Sequence, residues 1–266
     1  MMKKKEELTI KELCDLEYKN KNLAVPLGWI NNKENVYMDF KDVSGLFIGG
    51  ATGTGKSIFI DDIIVSLMYK NTNEQVKFIM LDPKKIELGE YDGINYLLDR
   101  KCQSDSLKGY NLLIYLLKLL ESRINTLVKT NHRTIEGYNK DNEEKWPHIF
   151  LFVDEGNDII RIKDSFSAFS KILEFGKNCG IHLVYATNSY LKDYSNSKFL
   201  DMFKYRMTFD LASEEQAKYI DIKGSSWLKG SGEALIKDPN GKIYKFWAPY
   251  VKDDEINEVV LCNKDK

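Results

Sequence analysis

The sequence predicts an α/β protein in which helices flank a mostly parallel central sheet. Short apolar runs typical of buried strands recur along the chain, and amphipathic stretches of helical periodicity lie between them. The chain has 266 residues, of which 43% are hydrophobic. Since a chain of this length buries most of its unfolded surface on folding, we expect one large core with a short N-terminal appendage.

The N-terminal segment is the first element. Residues 1–21 alternate charged residues with leucines and predict a short helical extension. Pro26 and Gly28 then mark the passage of the chain into the core, because both residue types interrupt regular structure. A boundary near Asn22 divides the chain into this extension and a main domain, residues 22–266.

The main domain is expected to alternate strands and helices. Apolar runs predict four parallel strands at residues 45–48, 76–81, 149–153 and 181–186. Amphipathic stretches predict helices at residues 57–69, 107–129, 166–177 and 213–221, the third of which ends before Gly180. Because an Asn-Gly step favours a tight turn, Asn240 and Gly241 predict a hairpin of residues 232–236 and 242–247.

Composition and charge argue against several classes of protein. No apolar stretch approaches the roughly 18 residues of a membrane-spanning helix, and the lysine-rich start lacks the apolar region of a secretion signal. We therefore expect a cytoplasmic protein without direct membrane insertion. The formal net charge of −1 gives no general attraction to nucleic acid, so any DNA contact must be local. The scattered cysteines predict neither a zinc site nor a disulfide framework.

A glycine-rich segment follows the first predicted parallel strand and precedes a predicted helix. Its residues satisfy the pattern G-x-x-x-x-G-K-[ST], in which backbone N–H groups and a helix N-terminus surround phosphates. Lys56 is expected to reach the β- and γ-phosphates, and the Ser57 hydroxyl to ligate Mg²⁺. A chance glycine-rich turn is the alternative. The predicted nucleotide-binding residues are Gly50, Ala51, Thr52, Gly53, Thr54, Gly55, Lys56 and Ser57.

Two further polar sites follow predicted strands, at the edge where ligands collect in open α/β sheets. Asp154 and Glu155 come directly after an apolar run and indicate a Walker B element. Asp154 would hold Mg²⁺, and Glu155 would polarise the attacking water. Thr187 and Asn188 end the next strand; we expect Asn188 to sense the γ-phosphate or orient water. The alternative for Asp154 and Glu155 is a solvated turn. The alternative for Thr187 and Asn188 is that they only cap the next segment.

Taken in order, these motifs resemble the motor domain of the FtsK/SpoIIIE family, DNA translocases within the FtsK-HerA group of P-loop ATPases. Five further segments carry the resemblance. They are LDPKKIEL at residues 81–88, LLESRINTL at 119–127, GYN at 137–139, DEGNDII at 154–160 and CGIHLVYATN at 179–188. The spacing of Gly224, Gly230 and Gly232 with Glu233 also fits a glycine-rich pattern of the family.

The resemblance implies a RecA-like P-loop ATPase that uses ATP and Mg²⁺, acts on double-stranded DNA and assembles as a homo-hexamer. In such a ring the nucleotide lies between subunits, and a cation from the neighbour offsets the γ-phosphate charge. Arg206 matches the family's arginine at the start of a strand and is the preferred trans-acting residue, followed by Lys84 or Arg123. An ordinary intrachain ion pair is the alternative for Arg206.

Departures from the family pattern shape the expected setting. The family's usual Gln-Arg-Pro is replaced by Asn188, Ser189 and Tyr190, and no segment resembles its membrane anchor or winged-helix module. We expect a motor that serves a plasmid, phage or other mobile element, with a recruiting protein or membrane protein as partner. Two alternatives stay open: the ATPase module of a type VII-like protein-secretion system, and a nucleotide-dependent assembly factor that does not hydrolyse ATP.

Overall fold

The structure is a computed structural model that describes residues 8–16, 20–30, 34–85, 87–188, 198–211 and 213–264, the side chains of residues 198, 214 and 215 excepted. The helices in these ranges are α1 (Ile10–Leu16), α2 (Lys56–Lys70), α3 (Ser106–Lys129), α4 (Ile135–Asp141), α5 (Asn157–Ile160), α6 (Ser165–Phe175), α7 (Lys198–Asp201), α8 (Glu214–Ile220) and α9 (Asp253–Asn263). The strands are β1 (Ala24–Ile30), β2 (Glu34–Asp39), β3 (Gly45–Gly49), β4 (Val76–Leu81), β5 (His148–Asp154), β6 (Ile181–Thr187), β7 (Tyr205–Thr208), β8 (Glu233–Lys237) and β9 (Ile243–Trp247).

The strands form one mixed sheet whose central part is parallel. Their order across the described sheet is β2-β1-β9-β8-β7-β3-β6-β5-β4. The strands from β7 to β4 in this order run parallel, with β3 paired to β6 on one side and to β7 on the other. The predicted fold class is confirmed, and the four predicted parallel strands are present within about one residue of their expected bounds.

An antiparallel extension lengthens the sheet beside β7. It contains the predicted hairpin, β8–β9, and a second, unpredicted hairpin, β1–β2. Pro26 and Gly28 lie inside β1, where the pairing register with β2 shifts. Gly28 has φ +136°, and a Cβ there would lie 1.8 Å from the Trp247 carbonyl oxygen. The two residues therefore mark an irregularity in the pairing of β1 with β2 rather than a break in the chain, and Gly28 lets β1 approach β9 closely.

Helices cover both faces of the sheet because successive strand residues point to opposite sides. On β5, Phe150 and Phe152 join the apolar cluster that contains α2, whereas Leu151 and Val153 join the cluster that contains α3 and α6. Buried positions of α3 recur at helical spacing: Leu113, Leu116, Leu120, Arg123 and Leu127. None of the helices in the described ranges combines the length and apolar character that a bilayer span requires.

The N-terminal helix α1 packs on the same layer as α2. Ile10 and Leu13 are buried in the cluster that contains α2. The Ile10 amide also donates a hydrogen bond to Glu255 Oε1 of α9 at 2.9 Å. Through these contacts α1 packs into the core of the main domain. The division of the chain near Asn22 stays a prediction.

The amino-terminal ends of β5 and β6 are held in place by α3 and α4. The buried Arg123 guanidinium donates to the carbonyl oxygens of Cys179 at 2.7 Å and Pro147 at 3.0 Å. The Asn139 side chain donates to the Trp146 carbonyl at 2.9 Å and accepts from the Trp146 amide at 2.8 Å. The motif segments 119–127 and 137–139, which contain Arg123 and Asn139, therefore position β5 and β6. They do so at the end of the sheet opposite the glycine-rich loop.

A histidine pair, of which His182 is fully buried and His148 partly so, links three segments at the same end of the sheet. His182 Nδ1 lies 2.8 Å from the Val43 carbonyl oxygen; because a carbonyl only accepts, Nδ1 carries the proton. His182 Nε2 then accepts a hydrogen bond from His148 Nδ1 at 3.0 Å. Burial lowers the pKa of His148 to about 4 and the pKa of His182 to about 3, so both rings are neutral at pH 7.

We expect acid to weaken this link. As pH falls below the ordinary histidine pKa of 6.5, the unfolded chain binds protons that the folded chain does not, so folding stability is lost. The substitution His148→Gln removes one such group. The loss of unfolding free energy that His148→Gln causes relative to wild type should therefore be about 1–2 kcal/mol smaller at pH 5 than at pH 7.

Urea unfolding at both pH values measures this difference. His132→Gln, outside the sheet, is the matched histidine control, and an equal change in both variants would contradict a specific contribution of the buried pair.

Candidate functional site

The glycine-rich loop joins β3 to α2 at the carboxyl-terminal edge of the parallel strands. Strand β3 ends at Gly49 and α2 begins at Lys56. Between them Gly50, Gly53 and Gly55 have φ values of 158°, 77° and 108°, a range that glycine tolerates and side-chain-bearing residues rarely adopt. The turn therefore depends on glycine, and it leads directly into the first turn of α2.

The Lys56 side chain lies against this loop and is only 6% exposed. Its Nζ donates a hydrogen bond to the Ala51 carbonyl oxygen at 2.8 Å. The Ala51 amide donates in turn to the Asp210 carbonyl, after β7, at 2.7 Å. Burial lowers the pKa of Lys56, and the two carboxylates at the end of β5 oppose this shift. Loop, lysine and acidic pair therefore share one electrostatic environment.

Asp154 is the last residue of β5 and is 5% exposed. Burial raises its pKa to about 7; the neighbouring carboxylates of Glu155 and Asp82 add to the shift, and Lys56 opposes it. Oxygen atoms from a carboxylate and from the Ser57 hydroxyl suit Mg²⁺. In the described part of the chain, no group of three or more His, Cys, Asp or Glu residues could hold a metal. Ser57 and Asp154 could therefore supply two of the oxygen ligands of a Mg²⁺ ion.

Glu155 and Asn188 are brought together by the pairing of β5 with β6. The Glu155 carboxylate accepts from the Thr187 hydroxyl at 3.1 Å and from the Asn188 amide at 2.7 Å. The Asn188 side-chain amide donates to the Thr52 hydroxyl of the glycine-rich loop at 2.9 Å. The predicted residues of three separate segments therefore form one hydrogen-bonded group. Ser189 and Tyr190, which depart from the family pattern, lie outside the described residues.

Asp82 is a further residue of this edge, beyond those that the sequence motifs predict for the site. It follows β4, is 1% exposed, and its carboxylate accepts hydrogen bonds from four backbone amides. They belong to Lys84, Lys85, Glu87 and Leu88. Asp82 thereby orders the loop after β4. The available signal was its position after an apolar run, which is the same signal that identified Asp154.

Arg206 is the second residue of β7 and lies opposite Phe47 of β3. Its guanidinium contacts Asp201 at 3.0 Å and Asp221 at 3.7 Å, and its side chain is 11% exposed. The intrachain ion pair considered from the sequence is therefore present. A trans-acting role for Arg206 stays a prediction, and it would require the guanidinium to exchange these partners for a phosphate group.

The two other candidate cations differ in position. Lys84 is exposed in the loop that Asp82 orders, and its charge helps to lower the pKa of Lys56. Arg123 is buried at the opposite end of the strands, where it bonds two carbonyl oxygens. Lys84 consequently lies at the edge where the candidate site is found, whereas Arg123 stabilises the opposite end of the sheet.

Comparison with known sequences agrees with this arrangement. The sequence profile of the FtsK/SpoIIIE family matches residues 9–165, more than half of the chain. The chain belongs to the FtsK/SpoIIIE family. It is 28% identical to the DNA translocase FtsK of Mesorhizobium japonicum over 97% of its length, and 31% identical to that of Leptospira interrogans over 90%. It spans only 33% and 26% of those two relatives.

Solved structures share the fold of this chain at lower identity. A monomer form of the pCW3 conjugation coupling protein TcpA with ATPγS is 18% identical, with a TM-score of 0.76 over 91% of this chain and 71% of that one. ATPases 2 and 3 of EssC from Geobacillus thermodenitrificans are 17% identical, with a TM-score of 0.77 over 91% and 48%. The cytoplasmic domain of the type VII secretion ATPase EccC of Thermomonospora curvata is 17% identical, with a TM-score of 0.76 over 100% and 34%.

Replacing the buried loop lysine should remove nucleotide affinity. We expect Lys56→Ala to weaken binding of a fluorescent ATP analogue at least about tenfold, because a phosphate in the loop would lose its charged partner. Lys70→Ala is the matched control, since Lys70 ends the same helix and bonds the Ala24 carbonyl. Fluorescence titration measures both; unchanged affinity in Lys56→Ala would contradict the assignment of the loop.

Proposed function

We propose that this chain is an ATP-dependent translocase motor for double-stranded DNA. The observation that carries the proposal is the convergence of Lys56, Asp154, Glu155 and Asn188 at one edge of the parallel sheet. A phosphate-binding lysine, a metal-binding carboxylate, a base and a polar sensor are the groups that ATP hydrolysis needs. The FtsK relatives, which are DNA translocases, support DNA as the substrate on which the hydrolysis acts.

Each residue has a defined part in the proposed reaction. The glycine-rich loop, residues 50–57, holds the phosphates, and Lys56 stabilises the charge that develops on the β- and γ-phosphates. Ser57 and Asp154 would hold Mg²⁺, which supplies charge neutralisation between the phosphates when bound. Glu155 polarises the attacking water, and Asn188 orients that water or the γ-phosphate. The reaction is hydrolysis of ATP to ADP and phosphate.

The proposed working assembly is a cytoplasmic homo-hexameric ring, in which the neighbouring subunit contributes Arg206. A γ-phosphate at a subunit boundary gains a second cation in this way, and hydrolysis becomes linked to the relative position of subunits. The pairing of Arg206 with Asp201 and Asp221 gives the side chain an alternative partner within its own chain.

The proposed setting is a mobile genetic element. The similarity to a conjugation coupling protein supports DNA transfer, with a recruiting protein or a membrane protein as partner. The similarity to EccC and EssC favours the second candidate, an ATPase module that drives protein secretion. The base at Glu155 argues against an assembly factor that binds ATP without hydrolysing it, because such a factor needs no group to activate water.

The proposal predicts ATP hydrolysis that duplex DNA stimulates. Steady-state turnover of the purified protein should rise severalfold with linear duplex DNA. Glu155→Gln should lower it by at least about 100-fold, because the amide cannot accept a proton from water. Glu174→Gln, at an exposed position of α6, is the matched control. Turnover that is indifferent to duplex DNA would favour the secretion module, and no turnover would favour the assembly factor.

A mixing experiment tests the trans-acting role of Arg206. Arg206→Ala and Lys56→Ala should each lack turnover alone, and Arg206→Ala should still bind nucleotide. In mixed rings, some sites combine the intact loop of an Arg206→Ala subunit with the intact arginine of a neighbouring Lys56→Ala subunit. A fraction of the activity should therefore return. Asp221→Asn, which removes an ion-pair partner but keeps the arginine, is the control. Mixtures that stay inactive would assign Arg206 to its intrachain ion pair.

A further inference from the structure

Thr187 occupies a position where two halves of the site meet. It is the last residue of β6 and is 1% exposed. Strand β6 lies between β3 and β5, so that Thr187 pairs with Gly49, directly before the glycine-rich loop, while its neighbour Ala186 pairs with Asp154. A side chain at this point can therefore act on the loop strand and on the acidic pair.

The Glu155 carboxylate is held from two directions. Its Oε2 accepts from the Thr187 hydroxyl at 3.1 Å, and its Oε1 accepts from the Asn188 amide at 2.7 Å. The Glu155 backbone is constrained as well, since its amide donates to the Ala186 carbonyl at 2.9 Å and its φ is 56°. A left-handed conformation of a non-glycine residue persists only where the surroundings enforce it.

The two bonds leave the carboxylate able to act on water. Each carboxylate oxygen can accept two hydrogen bonds, and one lone pair of each is taken by Thr187 or Asn188. A second lone pair on each oxygen can accept a hydrogen bond from a water molecule. A glutamate side chain has three rotatable bonds, so an unrestrained carboxylate would spend much of its time away from any one orientation.

We propose that Thr187 is a positioning residue whose hydroxyl fixes the Glu155 carboxylate in the orientation that polarises the attacking water. This inference rests on the proposed function, because it concerns the hydrolysis step of the same site. It assigns no contact with nucleotide to Thr187. The hydroxyl acts through its bond to Glu155, and its expected effect is on the rate of hydrolysis rather than on nucleotide affinity.

A second threonine shows that strand position alone does not produce this contact. Thr208 is the last residue of β7, the strand on the other side of β3, and it pairs with Gly49 as Thr187 does. Thr208 is also fully buried, but its hydroxyl donates to the Phe209 carbonyl at 2.8 Å. The two threonines share burial and register and differ in whether a carboxylate is their partner.

The experiment compares substitutions at both threonines in steady-state ATP hydrolysis with duplex DNA. Thr187→Val keeps the shape of the side chain and removes the donor. It should lower kcat about tenfold or more, with the KM for ATP within about twofold of the wild-type value. Thr187→Ser restores a hydroxyl and should return kcat to within about threefold of wild type. Thr208→Val should leave kcat within about twofold. Thr187→Ala is a second variant in case the valine disturbs folding, which thermal unfolding monitors.

Each outcome bears on a separate claim. Wild-type turnover with an unchanged kcat in Thr187→Val and Thr187→Ala would overturn the role of Thr187 and leave the proposed function intact. The same holds if Thr187→Ser fails to restore kcat, or if Thr208→Val loses as much kcat as Thr187→Val, since the effect would then follow from strand packing. A wild-type protein without ATP turnover would overturn the proposed function, and the positioning role with it.

Discussion

The candidate site depends on one constraint: the neighbouring strands β7, β3, β6 and β5 all run parallel. Parallel strands end at the same edge of a sheet, so the residues that follow them become neighbours although they are far apart in the chain. The glycine-rich loop follows β3, the acidic pair ends β5, and Asn188 follows β6. An antiparallel order would place the acidic pair at the opposite edge from the loop. The chemistry of the site thus follows from strand direction before any side chain is considered.

Within that edge, charges are held close together and partly out of water. Lys56 is buried against the loop, and burial raises the pKa of the nearby Asp154 to about 7. A cation bound at Asp154 would favour its ionised form, because an opposite charge offsets the loss of hydration. Neutral donors complete the arrangement: Thr187 and the Asn188 amide hold Glu155 without adding charge. A site of this composition suits the transfer of a highly charged phosphoryl group.

The opposite end of the sheet has a different chemistry. There Arg123 and Asn139 donate to backbone carbonyls, and His182 bonds both the Val43 carbonyl and the His148 ring. None of these bonds involves a carboxylate, and burial keeps both imidazoles neutral. Residues of the family motifs therefore divide into two groups: those at one edge carry the proposed reaction, and those at the other set the strands in register so that the first group can meet.

The sequence by itself determined the features that depend on local chemistry. The glycine pattern of residues 50–57, the apolar runs of β3 to β6, the Asn-Gly turn between β8 and β9, and Asp154 and Glu155 after an apolar run are all readable within a few residues. The packing of β1 against β9 and the bonds from Thr187 and Asn188 to Glu155 could not be predicted in this way. They depend on partners distant in the chain, such as Trp247 against Gly28 and β6 against β5. Only the tertiary structure decided them, because sequence patterns report local periodicity and turn chemistry, whereas these contacts arise from the order of strands in the sheet.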